Sequence, residues 1–336
     1  MKTEILTLLR NREDYISGQE LCNRFGVSRT AVWKVMNNLK EEGYVIEAVQ
    51  NKGYKLVSSP DIMDEHEIKS RLRTRWAGSK LYYYQETGST NTDAKGFAEQ
   101  GDPHGTLVVA DMQTGGKGRR GRSWQSSAGT TIAMSIVCRP DFMPDRASML
   151  TLVMGLSVAQ AIRKVTGLDS SIKWPNDIVV NGKKVCGILT EMSAELDYIQ
   201  YLVIGVGINV NNGADLPAPE RGQTFPEEIR DMATSLFLET GKRIPRAELI
   251  AAVMDRFEQN YETFLQKEDL SELSDTYNQC LVNRNQEVRV LDPKGSYDGL
   301  ARGIDDQGNL LVEKADGTIE KVYSGEVSVR GLYGYV

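Results

Sequence analysis

The fold turns on Ile178-Val179-Val180-Asn181-Gly182-Lys183-Lys184-Val185-Cys186-Gly187-Ile188-Leu189. Two β-rich apolar runs flank Asn181-Gly182, a pair that tolerates positive φ at both positions, so the chain should reverse there in a two-residue hairpin. Outside this hairpin lie further strand candidates at 81–85, 106–110, 131–137 and 199–206, beside the hairpin strands 178–180 and 184–191. Helical periodicity separates them. One helix is predicted over Met149–Thr166, between Ser148 and Gly167, and others over about 226–239 and 246–266. A mixed sheet covered by helices follows.

Upstream, the first sixty residues carry a different pattern. Ile5, Leu8 and Leu9 have helical spacing. Ser17 and Glu20 form a capping-box pair before a short helix that Gly26 closes. Ser28 then caps a third helix with Val32, Met36 and Leu39 on its buried face, and Gly43 ends it. Residues 44–56 form a hairpin about Asn51-Lys52-Gly53. Helix, turn, helix and wing in this order make a winged helix, with Ser28, Arg29, Thr30, Trp33, Lys34 and Asn37 placed to read DNA and Lys52 to reach a phosphate.

Net charge is −6, but it is unevenly spread: residues 1–60 hold nine Lys/Arg against seven Asp/Glu, the remainder 31 against 39. A slightly basic module on an acidic body permits nucleic-acid binding. Ser58-Ser59-Pro60-Asp61 reads as a linker. From about Asn278, short strands divided by Asp/Gly turns predict a small β-barrel. The expected division is 1–60, 61–277 and 278–336. No apolar run is long enough to cross a membrane and no signal peptide is evident, so the protein is expected to be cytoplasmic. Cys22, Cys138, Cys186 and Cys280 have no metal-knuckle spacing, and His66 and His104 sit in no chemical motif. Both histidines are expected in loops.

Three clusters carry chemistry. Gly115-Gly116-Lys117-Gly118-Arg119-Arg120-Gly121-Arg122 combines exposed backbone N–H groups with four cations, a loop suited to an anion. It is not a P-loop, because position 111 is Asp and position 118 is Gly; nor is Gly205-Val206-Gly207 a dinucleotide fingerprint, because position 210 is Val. Lys173-Trp174-Pro175-Asn176-Asp177 sets charge beside rigid apolar groups, and Lys184 opens an apolar strand where Gly187 leaves room for a ligand. Thr87-Gly88-Ser89-Thr90-Asn91 is a hydroxyl-rich helix cap and a set of neutral hydrogen-bonding groups suited to a ureido or amide ligand.

Together with Gln113-Thr114 and Gly205-Val206-Gly207-Ile208-Asn209, these motifs resemble the biotin–protein ligase family, in particular its bifunctional members with an N-terminal winged helix. The resemblance spans nearly the whole chain. It implies an α+β protein: a winged helix-turn-helix, a mixed-sheet α/β catalytic domain of the biotin/lipoate ligase type, and an SH3-like barrel. It implies biotin contacts at Ser89, Thr90, Asn91, Gln113, Lys117, Gly118, Arg119, Lys184 and Gly187. For ATP and the adenylate it implies Arg120, Arg122, Trp124, Lys173, Asn176, Asp177 and Asn209, with Lys184 and Arg119 as the catalytic cations. The first loop cation, often Arg in the family, is Lys117 here, which lacks a bidentate fork.

The segment from Asn211 to Pro226, expected to fold over adenine, contains no Trp, which leaves Phe225 as its apolar candidate. Substrates would be biotin and ATP, with Mg2+ on the ATP. Partners would be a biotin carboxyl carrier protein domain, operator DNA and a second copy of the chain when the adenylate is bound. Two other readings share features with this one: a lipoate-type ligase, and a non-enzymatic transcription factor that senses a small anion. ATP turnover separates the last from any ligase.

Overall fold

The computed structural model describes residues 1–124, 126–214, 225–292, 295–324 and 328–331. The chain begins with α1 (Lys2–Arg10), α2 (Gly18–Phe25) and α3 (Arg29–Glu41), then the hairpin of β1 (Val45–Val49) and β2 (Gly53–Ser58). Ser17 Oγ accepts the Glu20 N–H at 3.1 Å, but the Glu20 carboxylate pairs with Arg12 instead of completing a capping box. Gly26 takes φ 65° and ends α2. Ser28 Oγ accepts the Ala31 N–H at 3.3 Å and starts α3, whose buried face is Val32, Met36 and Leu39. In α1 the buried face is Ile5, Leu6 and Leu9, so Leu6 joins it and Leu8 is only partly covered. At the wing turn, Gly53 has φ 115°, and a Cβ there would lie 2.0 Å from the Ile16 carbonyl oxygen. That close approach lets Tyr54 and Ile16 exchange two backbone hydrogen bonds of 2.9 Å.

After α4 (Glu65–Lys69) the chain builds β3 (Leu81–Thr87), α5 (Thr90–Glu99), β4 (Leu107–Gln113), β5 (Thr131–Cys138) and α6 (Met149–Thr166). Then come β6 (Ser171–Lys173), β7 (Asp177–Val180), β8 (Lys183–Ala194), β9 (Ile199–Asn209), α7 (Leu236–Thr240), α8 (Arg246–Leu265) and α9 (Ser274–Cys280). Strands β3 to β9 form one sheet in the order β3-β4-β5-β9-β8-β7-β6, parallel only between β3 and β4. The Asn181-Gly182 reversal is present, with φ of 49° and 76°. All eight residues of β5 are buried. One face of the sheet carries α5, through Ala94 and Ala98 against Val108, Val137 and Val203. The main core, including α6 and α8, covers the other.

The last unit contains β10 (Glu287–Leu291), β11 (Tyr297–Ile304), β12 (Leu310–Glu313), β13 (Ile319–Val322) and β14 (Ser328–Gly331), an antiparallel five-stranded sheet ordered β13-β12-β11-β10-β14. It is fastened to the central unit by Trp174, whose Nε1 donates to the Gly308 carbonyl at 3.1 Å and whose backbone N–H donates to Asn283 Oδ1 at 2.9 Å. The α+β class with its three units agrees with the sequence.

Several local expectations are corrected. The helix expected over 226–239 is a 3-10 turn (Glu227–Ile229) and the short α7. The intervening backbone is diverted to Lys184, which donates its N–H to Met232 at 2.7 Å and accepts from Thr234 at 2.9 Å. Ser148 makes no side-chain cap. Asp61 is not free linker: Arg246 and Asn211 hold its carboxylate. His66 lies in α4, where its Nδ1 meets Thr3 Oγ1 at 2.8 Å, whereas His104 lies in a turn as expected and packs against Trp76 and Tyr261. The segments 215–224, 293–294, 325–327 and 332–336 lie outside the described residues, as does most of the expected adenine cover. Phe225 is buried. Among the described residues no helix is long and apolar enough to cross a membrane, and the four cysteines are free and buried.

Candidate active site and nucleic-acid interface

A cleft opens over the central sheet beside α5, where β4 ends, β8 begins and β9 ends. Its wall includes Ser89, Thr90, Asn91 and Gln113, with Lys117 and Gly118 of the basic loop next to them, and a second group of Arg119, Trp124, Asn176, Lys184 and Gly187. Groups this remote in the chain become neighbours only through the sheet order β4-β5-β9-β8.

At the neutral end, α5 starts at Ser89, whose side chain makes no cap bond and whose backbone is extended. Gln113 supplies the cap instead. Its Oε1 accepts the Thr90 N–H at 2.8 Å and lies 3.0 Å from the Thr90 hydroxyl. Asn91 lies under Gly205, where a Cβ would come within 2.0 Å of Asn91 Oδ1. Glycine is required there for the amide to sit against β9.

The basic loop leaves β4 through two hydrogen bonds to the turn after β3, Thr114 N–H to Thr87 at 2.9 Å and Gly115 N–H to Gly88 at 2.8 Å. It folds back on itself by Gly118 N–H to Arg122 at 2.7 Å and Trp124 N–H to Gly116 at 2.9 Å. Arg120 occupies a left-handed φ of 58°, which turns its neighbour Arg119 inward while Arg120 and Arg122 stay exposed. Arg119 donates to Asn176 Oδ1 at 3.1 Å and to the Ser324 carbonyl of the C-terminal unit. Burial pushes its pKa down, although Asp177 opposes this. Trp124 lies flat on the strands: a Cβ on Gly207 would meet its indole at 2.4 Å, and one on Gly187 at 3.3 Å.

Lys184 Nζ stands 2.6 Å from Asp177 Oδ1 and 5.8 Å from the centre of the Trp124 ring. Lys173 is buried nearby, and burial drives its pKa down to about 8 despite the attraction of Asp177. Of the residues implied by sequence, Arg120, Arg122, Lys173, Asp177 and Asn209 are not on the cleft wall. Asn209 is buried and donates to the Thr234 carbonyl at 3.1 Å, tying β9 to the segment that also pairs with Lys184. Gly205, Val206 and Gly207, together with Ile188 and Leu189, complete the wall.

Sequence reasoning missed Glu191, Lys95 and Ser135, which surround Asn91. A signal existed for Glu191, because strand alternation puts residues 187, 189 and 191 of β8 on one face. Nothing in the sequence marks Ser135, a buried hydroxyl inside an apolar strand.

In the N-terminal unit, Arg29, Thr30, Trp33 and Lys34 are exposed on one side of α3, Trp33 at 56%, while Asn37 is half-buried. Ser28 is spent as the helix cap. Arg29 donates to Gln19 Oε1 at 2.9 Å, and exposed Lys52 at the wing turn lies 5.7 Å from the Tyr15 ring centre. A groove between α3 and the wing separates Arg29 from Lys52.

Residues 83–209 match the biotin/lipoate A/B protein ligase family, residues 2–55 an HTH domain, and residues 285–330 the biotin protein ligase C-terminal domain. The chain is 41% identical over 318 residues to the bifunctional ligase/repressor BirA of Bacillus subtilis, covering 94% of each chain. It is 30% identical to the bifunctional ligase/repressor BirA of Escherichia coli, covering 97% of this chain and 96% of that one. Among solved structures, the biotin protein ligase of Aquifex aeolicus in complex with biotin and ATP superposes with a TM-score of 0.64 at 33% identity, covering 75% of this chain and 99% of that chain. With this fold, this cleft and likeness along nearly its whole length, the chain belongs to the biotin/lipoate protein ligase family, in its bifunctional ligase/repressor group.

Proposed function

We propose that this chain joins biotin to one lysine of a biotin carboxyl carrier protein domain through biotinyl-5'-AMP, and that with the adenylate bound it represses transcription from operator DNA. The observation that carries the reading is the polarity of the cleft: neutral hydrogen-bonding groups at Thr90 and Gln113, and cations at Arg119 and Lys184 beside Asn176 and Trp124. The neutral end suits the ureido ring, the cationic end the carboxylate and α-phosphate. Asn91, Gly118 and Gly187 complete the biotin contacts. Arg120, Arg122, Trp124, Lys173, Asn176, Asp177 and Asn209 serve ATP and the adenylate.

In the first step a biotin carboxylate oxygen bonds to the α-phosphorus and the bond to pyrophosphate breaks. Lys184 and Arg119 offset the negative charge that builds on the phosphate oxygens. In the second, the neutral carrier lysine attacks the acyl carbon, the bond to AMP breaks, and the amine proton passes to solvent. Neither step needs a protein nucleophile, so positioning and charge carry the catalysis. Mg2+ arrives on ATP; a phosphate-held Mg2+ takes only one or two protein carboxylates, and Asp177 stands beside Lys184.

The adenylate orders the basic loop and favours a homodimer, which presents two copies of α3 and the wing to two half-sites. The protein works in the cytoplasm. The division into 1–60, 61–277 and 278–336 is supported by one sheet in each part, although the last limit falls inside α9 (Ser274–Cys280).

The test is the mass of a carrier domain incubated with the chain, biotin and Mg·ATP. A gain of one biotin that needs ATP and does not occur with lipoate supports the ligase. Biotin binding with no transfer favours a ligand-sensing repressor, and transfer of lipoate favours a lipoate-type ligase. Sedimentation with and without adenylate tests the dimer; equal dimerisation constants would remove it.

A further inference from the structure

Behind the neutral end of the cleft, Asn91 is clamped from two sides by groups outside the residues assigned to ligand contact. Its Nδ2 donates to Glu191 Oε2 at 2.8 Å and to the Leu189 carbonyl at 3.3 Å. Its Oδ1 accepts from Ser135 Oγ at 2.6 Å. A carboxylate and a backbone carbonyl can only accept, so the amide nitrogen must face them. The oxygen must then face Ser135, and because an amide oxygen cannot donate, the single Ser135 proton points to Asn91. Lys95 Nζ pairs with the other Glu191 oxygen.

That commitment propagates. Ser135 Oγ also stands 2.8 Å from Thr90 Oγ1 on the donor side, so its one proton is divided between Asn91 and Thr90 according to how the Asn91 amide is turned. The Thr90 proton goes to Gln113 Oε1 at 3.0 Å, within the protein. Thr90 Oγ therefore turns a lone pair to the cleft. Gln113 Oε1 is occupied by the Thr90 N–H, which leaves Gln113 Nε2 as the donor end. An acceptor beside a donor is the complement of a ureido N–H beside its carbonyl.

We infer that Glu191 is a positioning residue that fixes the donor–acceptor sense of the ureido-recognition end of the cleft, acting through Asn91, Ser135 and Thr90. The inference rests on the biotin reading above. It asks for a charged Glu191. Burial alone would raise the carboxyl, but the hydrogen bonds from Lys95 and Asn91 outweigh it and hold the group below the usual carboxylate range.

Glu191→Gln keeps the shape and removes the nearer of the two obligate acceptors, so only the Leu189 carbonyl at 3.3 Å still opposes a turn of the Asn91 amide. The measurements are KM and kcat of the full chain for biotin, and calorimetric affinities for biotin and for a cyclic carbamate analogue in which oxygen replaces one ureido N–H. A site built to bond an N–H rejects the analogue that lacks it, so the wild type should prefer biotin by roughly a hundredfold or more. In Glu191→Gln, KM for biotin should rise about tenfold and the preference shrink about tenfold, with kcat and KM for ATP within about twofold. A purely structural role would lower the melting temperature and leave the preference intact. Ser135→Ala cuts the same chain at a small buried hydroxyl and should also reduce the preference, so the test stands if Glu191→Gln fails to fold. An unchanged preference in either folded variant overturns the inference. A wild type that does not bind biotin overturns the underlying reading, and this inference with it, and is seen before any variant is made.

Discussion

Asp61 accepts the backbone N–H of Arg246 at 2.9 Å and its Nε at 3.0 Å, across 185 residues of sequence. The same guanidinium pairs with Asp111 on β4 and donates to the Thr131 carbonyl at 3.2 Å. Asp111 also accepts the Gly129 N–H at 3.2 Å, where the chain returns from the basic loop to β5. One buried cation thus ties the segment after the winged helix to both ends of the basic loop. Burial would lower its pKa, but Asp61 and Asp111 outweigh that and raise it.

Arg246→Met should therefore destabilise the protein by about 3 kcal/mol, because two carboxylates lose their counter-charge. Both are partly exposed, which keeps the cost at the low end of the range for broken buried pairs. Urea denaturation reads it directly. A midpoint equal to the wild type would show that the pair carries no net stability.

Lys184→Ala should abolish adenylate formation while preserving the fold. The ammonium faces the cleft, partly exposed, and its loss leaves Asp177 with Arg119 and Lys173 as neighbouring cations. Removing one preorganised charge at a reacting centre costs about a hundred- to a thousandfold in rate. Pyrophosphate release with biotin and Mg·ATP measures it, and a wild-type rate would end the catalytic assignment.

Lys173 gives opposite pH trends for stability and binding. An ordinary lysine titrates near ~10.4, whereas burial pushes this one down to about 8. Below about 8 both folded and unfolded chains carry the proton, and the folded state bears the full cost of the buried charge. Between the two values the unfolded chain binds more protons, so stability rises with pH. On the proposed adenylate role of Lys173, affinity for the adenylate should fall over the same interval as the ammonium is lost. Denaturation and calorimetry at neutral and alkaline pH should show both slopes, and Lys173→Met should flatten both.

Gly207→Ala should displace the Trp124 indole, since the new Cβ would lie 2.4 Å from it. Loss of ligand affinity with a changed tryptophan emission and an unchanged circular dichroism spectrum is the expected result. Retained affinity would mean that the indole can move without consequence.

Arg29→Ala and Lys34→Ala lie on the exposed side of α3, far in sequence from the cleft. Each should weaken operator binding and reduce the salt dependence by about one counterion where it meets a phosphate. Carrier modification should be unaffected. If operator affinity survives both changes, another face meets the DNA.

Local physics made much of this protein legible in its sequence. Ser17, Ser28 and Gly26 mark helix ends because capping and positive φ are decided within a few residues. Asn181-Gly182 marks its hairpin for the same reason. The Gly/Arg loop and Lys184 stand out because their residue types are hard to place without an anion, whereas Gln113 comes only with the family resemblance. Tertiary structure decided what depends on partners remote in sequence. Residues 232–234 leave helix because Lys184 takes their hydrogen bonds. Asp61 ceases to be linker because Arg246 needs its charge. Ser135 and Glu191 acquire a role only when β5 and β8 bring them to Asn91, 44 and 100 residues away. Sequence alone determines the groups and their local geometry, whereas the sense of a hydrogen bond and the charge of a buried lysine belong to whatever the fold packs beside them.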